Sequence, residues 1–171
     1  EILAQQTASE NQLPPAPRVM EERVNYILNS IMKDVITRGT GRRALVLERS
    51  DIGGKTGTTN GPMDAWFSGF NQDLATTTWV GFDNYTPLGR REFGGTAALP
   101  IWIDFMETAL SGKAHNRPRV PENIIRLRVN RQTGLPTNEE DPESYLEFFV
   151  AGTQPTTPHA QSVEDPIEGL F

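Results

Sequence analysis

Residues 51–61 read D-I-G-G-K-T-G-T-T-N-G, and this stretch concentrates the side chains that could do chemistry. Lys55 offers a fixed positive charge, and the threonines after it offer hydroxyl groups that donate hydrogen bonds. Gly57 has no Cβ, so another molecule can approach its backbone closely. A Lys-Thr-Gly triplet at the edge of a strand would therefore suit an acyl-transfer cleft that holds a substrate bearing a carboxylate.

The same stretch also matches the end of a phosphate-binding loop, which is the main alternative. That loop requires G-x-x-x-x-G-K-[ST] followed by a helix, because its backbone N–H groups wrap around phosphates. Arg49 occupies the position of the first glycine, and the residues after Lys55 read T-G-T-T-N-G, which is poor in helix formers. The pattern disfavours nucleotide binding and favours a strand.

Two amphipathic helices are predicted on either side of this strand. The first starts near Met20 and ends at the glycines of R-G-T-G-R. Its apolar residues at helical spacing, which we expect to face the core, are Val24, Ile27, Leu28, Ile31, Met32, Val35 and Ile36. The second helix has Pro100 near its first turn and Gly112 past its end. Its core face comprises Leu99, Trp102, Ile103, Met106 and Leu110.

Short β-branched and aromatic runs predict the strands of an α/β fold of the α+β type. Residues 65–70 and 76–82 read as an antiparallel hairpin, with 55–59 a neighbouring strand and 45–47 a further apolar run in the same β region. Residues 125–129 and 146–150 are strand-like runs in a loop-rich portion. We divide the chain into a linker or inserted-loop remnant (1–19), a compact part (20–112) and a C-terminal extension with a mobile tail (113–171).

Composition excludes several kinds of function. With 16 basic and 22 acidic residues the net charge is −6, which gives no basic footprint for nucleic acid. The absence of cysteine removes disulfides, thiolate metal sites and thiol nucleophiles. His115 and His159 are far apart and have no companion ligands nearby, so we expect no metal and no cofactor. No apolar run has the roughly 20 residues of a membrane span, and the first residues do not form a signal peptide.

Several separated segments together resemble one family. GGKTGTTN, DAWFSGF, TTTWVGFDN and GGTAALPIW, in this order, closely resemble the C-terminal part of the transpeptidase domain of class A penicillin-binding proteins. RVNYILNSIMKDVITRGTGRRA resembles the helix that leads into the Lys-Thr-Gly strand. The resemblance spans residues 15–112 with specific motifs and continues more weakly to about 155, through FFVAGTQP. It implies a serine β-lactamase-like fold, an antiparallel sheet flanked by helices, present as its C-terminal portion only.

In this family a serine in an S-x-x-K motif attacks the D-Ala-D-Ala end of a peptidoglycan stem peptide, and S-x-N and K-[ST]-G motifs complete the site. The resemblance implies that Lys55 contributes positive potential and proton-network support, and that Thr58 N–H forms half of the oxyanion hole. The hydroxyls of Thr56 and Thr58 would hold the donor's terminal carboxylate. Gly57 and Thr59 complete the substrate-binding set. We expect a structural part for Gly94 and Gly95.

Matches to the other two motifs are present in the sequence, but they occur in the wrong order. Ser30-Ile31-Met32-Lys33 fits S-x-x-K and Ser9-Glu10-Asn11 fits S-x-N, but the family order is S-x-x-K, S-x-N, K-T-G. With the apolar stripe of the first helix facing the core, Ser30 and Lys33 should lie on its solvated face. We therefore predict that the nucleophile is absent from this chain, and that the chain alone is inactive.

The resemblance also implies partners and a location. The implied partners are the upstream part of the same domain, which carries S-x-x-K and S-x-N, together with peptidoglycan stem peptides and β-lactams. A glycosyltransferase domain and a membrane anchor are expected only upstream, with the enzyme on the periplasmic face of the cytoplasmic membrane. The alternative is a non-catalytic penicillin-sensor or scaffolding module of the same fold. Trp66, Trp79 and Trp102 are expected to be core residues, and Asp64 to be structural.

Overall fold

The computed structural model describes residues 17–156. Helix α1 (Glu22–Thr37) is followed by a short 3-10 helix (Arg42–Leu47), and three strands come next: β1 (Gly53–Thr58), β2 (Asp64–Phe70) and β3 (Ala75–Gly81). A π-helical turn (Gly94–Ala98) runs into helix α2 (Leu99–Ala109). The last elements are β4 (Ile124–Asn130) and β5 (Ser144–Val150). No helix among residues 17–156 is both long and apolar enough to cross a membrane.

The strands form two antiparallel sheets. β1, β2 and β3 lie in that order in a three-stranded sheet, with Lys55 opposite Ser68 and Trp66 opposite Trp79. β4 and β5 pair with each other in a separate hairpin, with Ile124 opposite Val150. The predicted hairpin of β2 and β3, its neighbouring strand β1 and the two C-terminal strands are confirmed, and so is the mixed fold with an antiparallel sheet and helices.

The core lies between one face of the three-stranded sheet and α2. Trp102 and Phe67 are both fully buried, and their rings meet edge to face with centroids 4.9 Å apart. The inward face of α2 is as predicted, and its buried residues include Leu99, Trp102, Ile103 and Met106. Ile36 at the end of α1 and Ile52 before β1 join the same core.

The predicted orientation of α1 is wrong. Val24, Leu28 and Ile31 are 51%, 43% and 50% exposed, and Ile36 is the buried residue of the helix. The opposite side of α1 packs on the β4–β5 hairpin, where Tyr26 meets Phe148 edge to face at 5.3 Å. The hairpin therefore covers the side that the apolar pattern assigned to solvent, and Ser30 and Lys33 are partly buried there.

Two further expectations are corrected. Residues 45–47 belong to a 3-10 helix and not to the β region, because Ala44 is buried as the anchor of the turn while Leu45 and Val46 face outward. Trp102 is a core residue, but Trp66 and Trp79 are 42% and 46% exposed among the described residues. Both point to the face of the sheet that α2 does not cover. The expectation that their positions on the strands would bury them in the core is therefore wrong.

Candidate active site

The free edge of β1 carries the candidate site. β1 pairs with β2 on one side and is the edge strand of its sheet within residues 17–156. Thr59 N–H donates to Asp64 O at 3.2 Å, so the odd-numbered residues of β1 direct their backbone groups toward β2. The backbone groups of Thr56 and Thr58 consequently point to the free edge. A ligand that approaches this edge meets a backbone N–H at Thr58.

Lys55 reaches the same edge from the exposed face of the sheet. Its Nζ donates to the backbone oxygen of Thr56 at 2.8 Å and to Thr56 Oγ1 at 3.3 Å. The side chain is exposed, as an edge position allows. The ammonium group is therefore fixed beside the hydroxyl of Thr56, where it can neutralise an incoming anion.

Thr56 is held by a residue that the sequence did not single out. Its Oγ1 lies 2.8 Å from Thr40 Oγ1, in the loop after α1. The hydroxyl therefore bonds to Thr40 and Lys55 together, which fixes its position at the edge. The signal for Thr40 in the sequence is weak, because a threonine between two glycines is common in turns.

Thr58 is positioned by the π-helical turn. Its Oγ1 accepts a hydrogen bond from Gly94 N–H at 3.1 Å, which leaves the hydroxyl proton of Thr58 free to donate. Gly94 is close enough that a Cβ there would lie 2.3 Å from Trp66 O and 2.7 Å from Gly57 O. Only glycine fits where the π-helical turn passes this close to the backbone of β1 and β2. The structural part expected for Gly94 is therefore supported by its geometry.

Gly57 and Thr59 differ from the threonines at the edge. Gly57 is opposite Trp66, and a Cβ on Gly57 would contact Trp66 Cβ at 3.2 Å. Thr59 Oγ1 accepts hydrogen bonds from the backbone N–H groups of Met63 (3.1 Å) and Asp64 (2.9 Å). The hydroxyl of Thr59 therefore closes the turn after β1, and its oxygen is already occupied.

A buried ion pair anchors the start of β1. Asp51 is 1% exposed and accepts two hydrogen bonds from Arg49, Nε at 2.9 Å and a terminal nitrogen at 2.7 Å. Arg49 also donates to the backbone oxygens of Lys113 and Ala114. Burial raises the pKa of Asp51, but the bonds from Arg49, Asn116 N–H and Asn71 outweigh burial and hold the pKa below its usual value. This anchor joins the β1 start to the chain after α2.

The exposed face of the sheet beside Lys55 is aromatic. The rings of Trp66 and Trp79 lie 6.0 Å apart, and Trp79 Nε1 donates to Asp64 Oδ1 at 2.8 Å. The structural part expected for Asp64 is confirmed by this bond and by its backbone bonds with Thr59.

The S-x-x-K match of the first helix, Ser30-Ile31-Met32-Lys33, does not join this edge. Ser30 and Lys33 lie within α1 and line a cavity with Arg117 and Phe148. Ser9 lies outside the described residues. Within residues 17–156, no group of three or more acidic or histidine side chains is placed to hold a metal ion.

Comparison with known proteins identifies relatives of one kind. The sequence is 49% identical over 152 residues to penicillin-binding protein 1A of Pseudomonas aeruginosa, which covers 86% of this chain and 18% of the relative. It is 38% identical to the Vibrio cholerae protein of that name, over 90% of this chain and 22% of the relative. The chain thus spans about a fifth of the length of these relatives. No family model matches the sequence.

A solved structure agrees with the fold. The crystal structure of penicillin-binding protein 1A from Haemophilus influenzae superposes with a TM-score of 0.77 at 38% identity, over 87% of this chain and 23% of that one. The agreement covers most of this chain, in a chain nearly four times as long. The chain therefore belongs to the family of class A penicillin-binding proteins, whose C-terminal portion it matches.

Proposed function

We propose that this chain forms the Lys-Thr-Gly wall of the active site of a serine-type D-Ala-D-Ala transpeptidase, which cross-links peptidoglycan stem peptides and is acylated by β-lactams. The observation that carries the proposal is the free edge of β1. There the ammonium of Lys55, the hydroxyls of Thr56 and Thr58 and the outward N–H of Thr58 lie along one strand. The relatives' name supports the penicillin-binding class.

In this proposal the substrate binds as an added strand along β1. Main-chain bonds to the outward groups of Thr56 and Thr58 would align the stem peptide with the edge. The hydroxyls of Thr56 and Thr58 would hold its terminal carboxylate, with the positive potential of Lys55 beside them. The N–H of Thr58 would stabilise the oxyanion of the tetrahedral intermediate, a contribution of about 2.7–4 kcal/mol for one such donor.

The serine nucleophile and its general base are proposed to lie outside these 171 residues. Ser30 and Lys33 lie in mid-helix on a cavity wall that faces the β4–β5 hairpin. The proposed location is the outer face of the cytoplasmic membrane, where peptidoglycan is found.

The test uses the full-length protein and a fluorescent penicillin. After labelling, the chain is cleaved just before Glu1 and the two pieces are separated. Dye on the upstream piece supports a nucleophile outside this chain. Dye on residues 1–171 would place the acylated residue in this chain, with Ser30 as the candidate, and would overturn that part of the proposal.

A matched pair of variants tests the role of the edge. Lys55→Gln should slow acylation by about 100-fold or more, because a positioned charge or proton-transfer group contributes that much. Ser68→Ala is the control, since Ser68 lies opposite Lys55 on β2 and bonds to Thr77 at 2.9 Å. Acylation with no turnover of a D-Ala-D-Ala peptide in the unmodified protein would favour the penicillin-sensor alternative.

A further inference from the structure

Three polar side chains from two parts of the fold form a chain of hydrogen bonds at the free edge of β1. Lys55 Nζ donates to Thr56 Oγ1 at 3.3 Å, and Thr56 Oγ1 lies 2.8 Å from Thr40 Oγ1. Lys55 and Thr56 are neighbours on β1, whereas Thr40 lies in the loop after α1, 16 positions before Thr56. The hydroxyl of Thr56 is therefore shared between its own strand and a loop outside the sheet.

The direction of the bond between the two hydroxyls determines what Thr56 can offer to a ligand. A threonine hydroxyl has one proton to donate and two lone pairs that accept. The ammonium of Lys55 is a donor only, so it occupies one lone pair of Thr56 Oγ1. If Thr56 donates its proton to Thr40, it has none left for a ligand. If Thr40 donates instead, the second lone pair of Thr56 is filled and the proton of Thr56 stays free.

A carboxylate at this edge requires the second arrangement. An ionised carboxylate only accepts hydrogen bonds, so a hydroxyl must present its proton to it and not a lone pair. Thr58 already meets this requirement, because its Oγ1 accepts from Gly94 N–H at 3.1 Å and its proton is free. A proton donated by Thr40 would have the same effect on Thr56. Both hydroxyls then face the ligand as donors.

The side chain of Thr40 is able to donate this bond. Within residues 17–156, no other group hydrogen-bonds to its hydroxyl, so its proton has no second acceptor in that part of the chain. Thr37 is also exposed and lies three residues earlier, but its Oγ1 donates to Asp34 Oδ1 at 3.3 Å. Of these two threonines at the end of α1, Thr40 is the one that reaches β1.

The backbone around Thr40 is fixed on two sides. Gly41 N–H donates to Val35 O at 2.8 Å, and a Cβ on Gly39 would lie 2.8 Å from Val35 Cα. The residues before and after Thr40 are thus packed on the last turns of α1. The loop also meets the π-helical turn, where a Cβ on Gly95 would lie 3.1 Å from Thr40 O. The hydroxyl of Thr40 is therefore preorganised beside Thr56, with little freedom left to lose when a ligand binds.

We propose that Thr40 is a positioning residue of the candidate active site, which donates its hydroxyl proton to Thr56 Oγ1 and so leaves Thr56 as a donor for the carboxylate of the bound substrate. The role of Thr40 rests on the proposed function and adds to the site a residue outside the Lys-Thr-Gly strand. Thr40 acts through Thr56 and does not touch the substrate. Its loss should therefore slow the reaction more for ligands with a free carboxylate than for ligands in which that group is esterified.

The first test measures the second-order rate constant for acylation of the full-length protein by benzylpenicillin. Thr40→Val keeps the shape of the side chain and should lower this rate constant about tenfold, the factor that corresponds to one hydrogen bond to a charged group. Thr40→Ser keeps the hydroxyl and should stay within about threefold of the unmodified protein. The control Thr37→Val should change the rate constant less than about twofold, as exposed substitutions elsewhere do.

Two results of this test would overturn the role of Thr40. One is an unchanged rate constant in Thr40→Val, and the other is a Thr40→Ser variant as slow as Thr40→Val. Thr40→Ala removes the hydroxyl without keeping the branched side chain, and the same tenfold loss is expected there. It takes the place of Thr40→Val if valine does not fit the turn.

The second test compares benzylpenicillin with its methyl ester, which lacks the negative charge. Thr40→Val should reduce the preference of the protein for the free acid by about threefold or more, because a neutral ester gains less from the proton of Thr56 than a carboxylate does. A residue that merely holds the fold would slow both reactions alike. Equal slowing with the acid and the ester would therefore overturn the proposal.

A double-mutant cycle tests whether Thr40 acts through Thr56. In a Thr56→Val background, the further change Thr40→Val should slow acylation by less than about twofold, since the acceptor of the Thr40 proton is already gone. If the losses of the two single variants multiply in the double variant, Thr40 acts independently of Thr56 and the proposal is wrong.

The same measurements separate the role of Thr40 from the proposed function. If the unmodified full-length protein is acylated and Thr40→Val is acylated equally fast, the role of Thr40 is wrong and the proposed function stands. If benzylpenicillin does not acylate the unmodified protein, the proposed function is wrong, and the role of Thr40 is wrong with it.

Discussion

The two long helices have similar apolar patterns, but the apolar residues of α2 are buried and several of those of α1 are exposed. In α2 the residues at helical spacing are buried, with Trp102 and Met106 both fully inaccessible to solvent. In α1 the residues Val24 and Ile31 are about half exposed, at 51% and 50%. Periodicity therefore predicts that a segment is a helix, but it does not tell which partner covers the apolar face.

The difference follows from what each helix packs against. α2 lies on the core face of the three-stranded sheet, and Trp102 contacts Phe67 on β2. α1 lies beside β1 at Gly53 and packs its other side on the β4–β5 hairpin. Because the chain spans about a fifth of its relatives, we expect the exposed stripe of α1 to be covered by a part of the domain outside these residues.

The largest expected effect is on the buried helix. Trp102→Ala should lower the free energy of unfolding by about 3–5 kcal/mol, because it removes a large buried ring and leaves a cavity beside Phe67. Urea denaturation of the chain measures it. Trp79→Ala, at a 46% exposed tryptophan, is the control and should cost less than half as much. Equal losses would mean that α2 is not the helix that holds the core.

The next prediction concerns the Arg49–Asp51 ion pair, which joins the start of β1 to the segment after α2. Arg49→Ala should cost about 3 kcal/mol, since it leaves the carboxylate of Asp51 buried without its ion partner. Asn116 N–H and Asn71 would still bond to that carboxylate. Arg128→Ala is the control, because the Glu139 partner of Arg128 is 87% exposed. A larger loss of stability for Arg128→Ala than for Arg49→Ala would contradict the assignment of the Arg49–Asp51 pair as the buried anchor of β1.

The same ion pair predicts how stability depends on pH. The folded-state pKa of Asp51 is lowered from its usual value near 3.8. The stability that the carboxylate contributes is therefore present above that value, and it is lost as pH falls through the lower pKa of the folded state. The unfolding free energy should drop between pH 7 and pH 3 by more in the unmodified chain than in Asp51→Asn. An equal drop would mean that other carboxyl groups govern acid sensitivity.

A smaller effect is expected where the turn before α2 crosses β1. Gly94→Ala should cost about 1–3 kcal/mol, because its Cβ would meet backbone oxygens that cannot move aside. Gly95→Ala is the control: its nearest contact is Thr40 O at 3.1 Å, and alanine favours the helical turn. Thermal unfolding of the two variants compares them. A neutral Gly94→Ala would show that the turn is free to move away from Thr58.

These contacts mark the limit of what the sequence could predict. The helices, the β2–β3 hairpin and the Lys-Thr-Gly strand were predictable because their signals are local: helical spacing, alternating β-branched residues and flanking glycines. The bonds of Thr40 to Thr56, Gly94 to Thr58 and Arg49 to Ala114 join residues 16, 36 and 65 positions apart. No local pattern encodes such pairs. The orientation of α1 was mispredicted for the same reason, since the hairpin that covers its polar side begins at Ile124.

The smallest expected effect concerns the exposed stripe of α1. In the 171-residue chain, Ile31→Ala should change the free energy of unfolding by less than about 0.5 kcal/mol, as surface substitutions usually do. In the full-length protein the same change should cost about 2 kcal/mol or more if the stripe is buried there, because a covered isoleucine loses transfer and packing energy. Val46→Ala, at a 70% exposed valine of the 3-10 helix, is the control in both proteins. Equal, small effects of Ile31→Ala in the two proteins would mean that the stripe of α1 stays exposed and that the contrast with α2 belongs to the whole molecule.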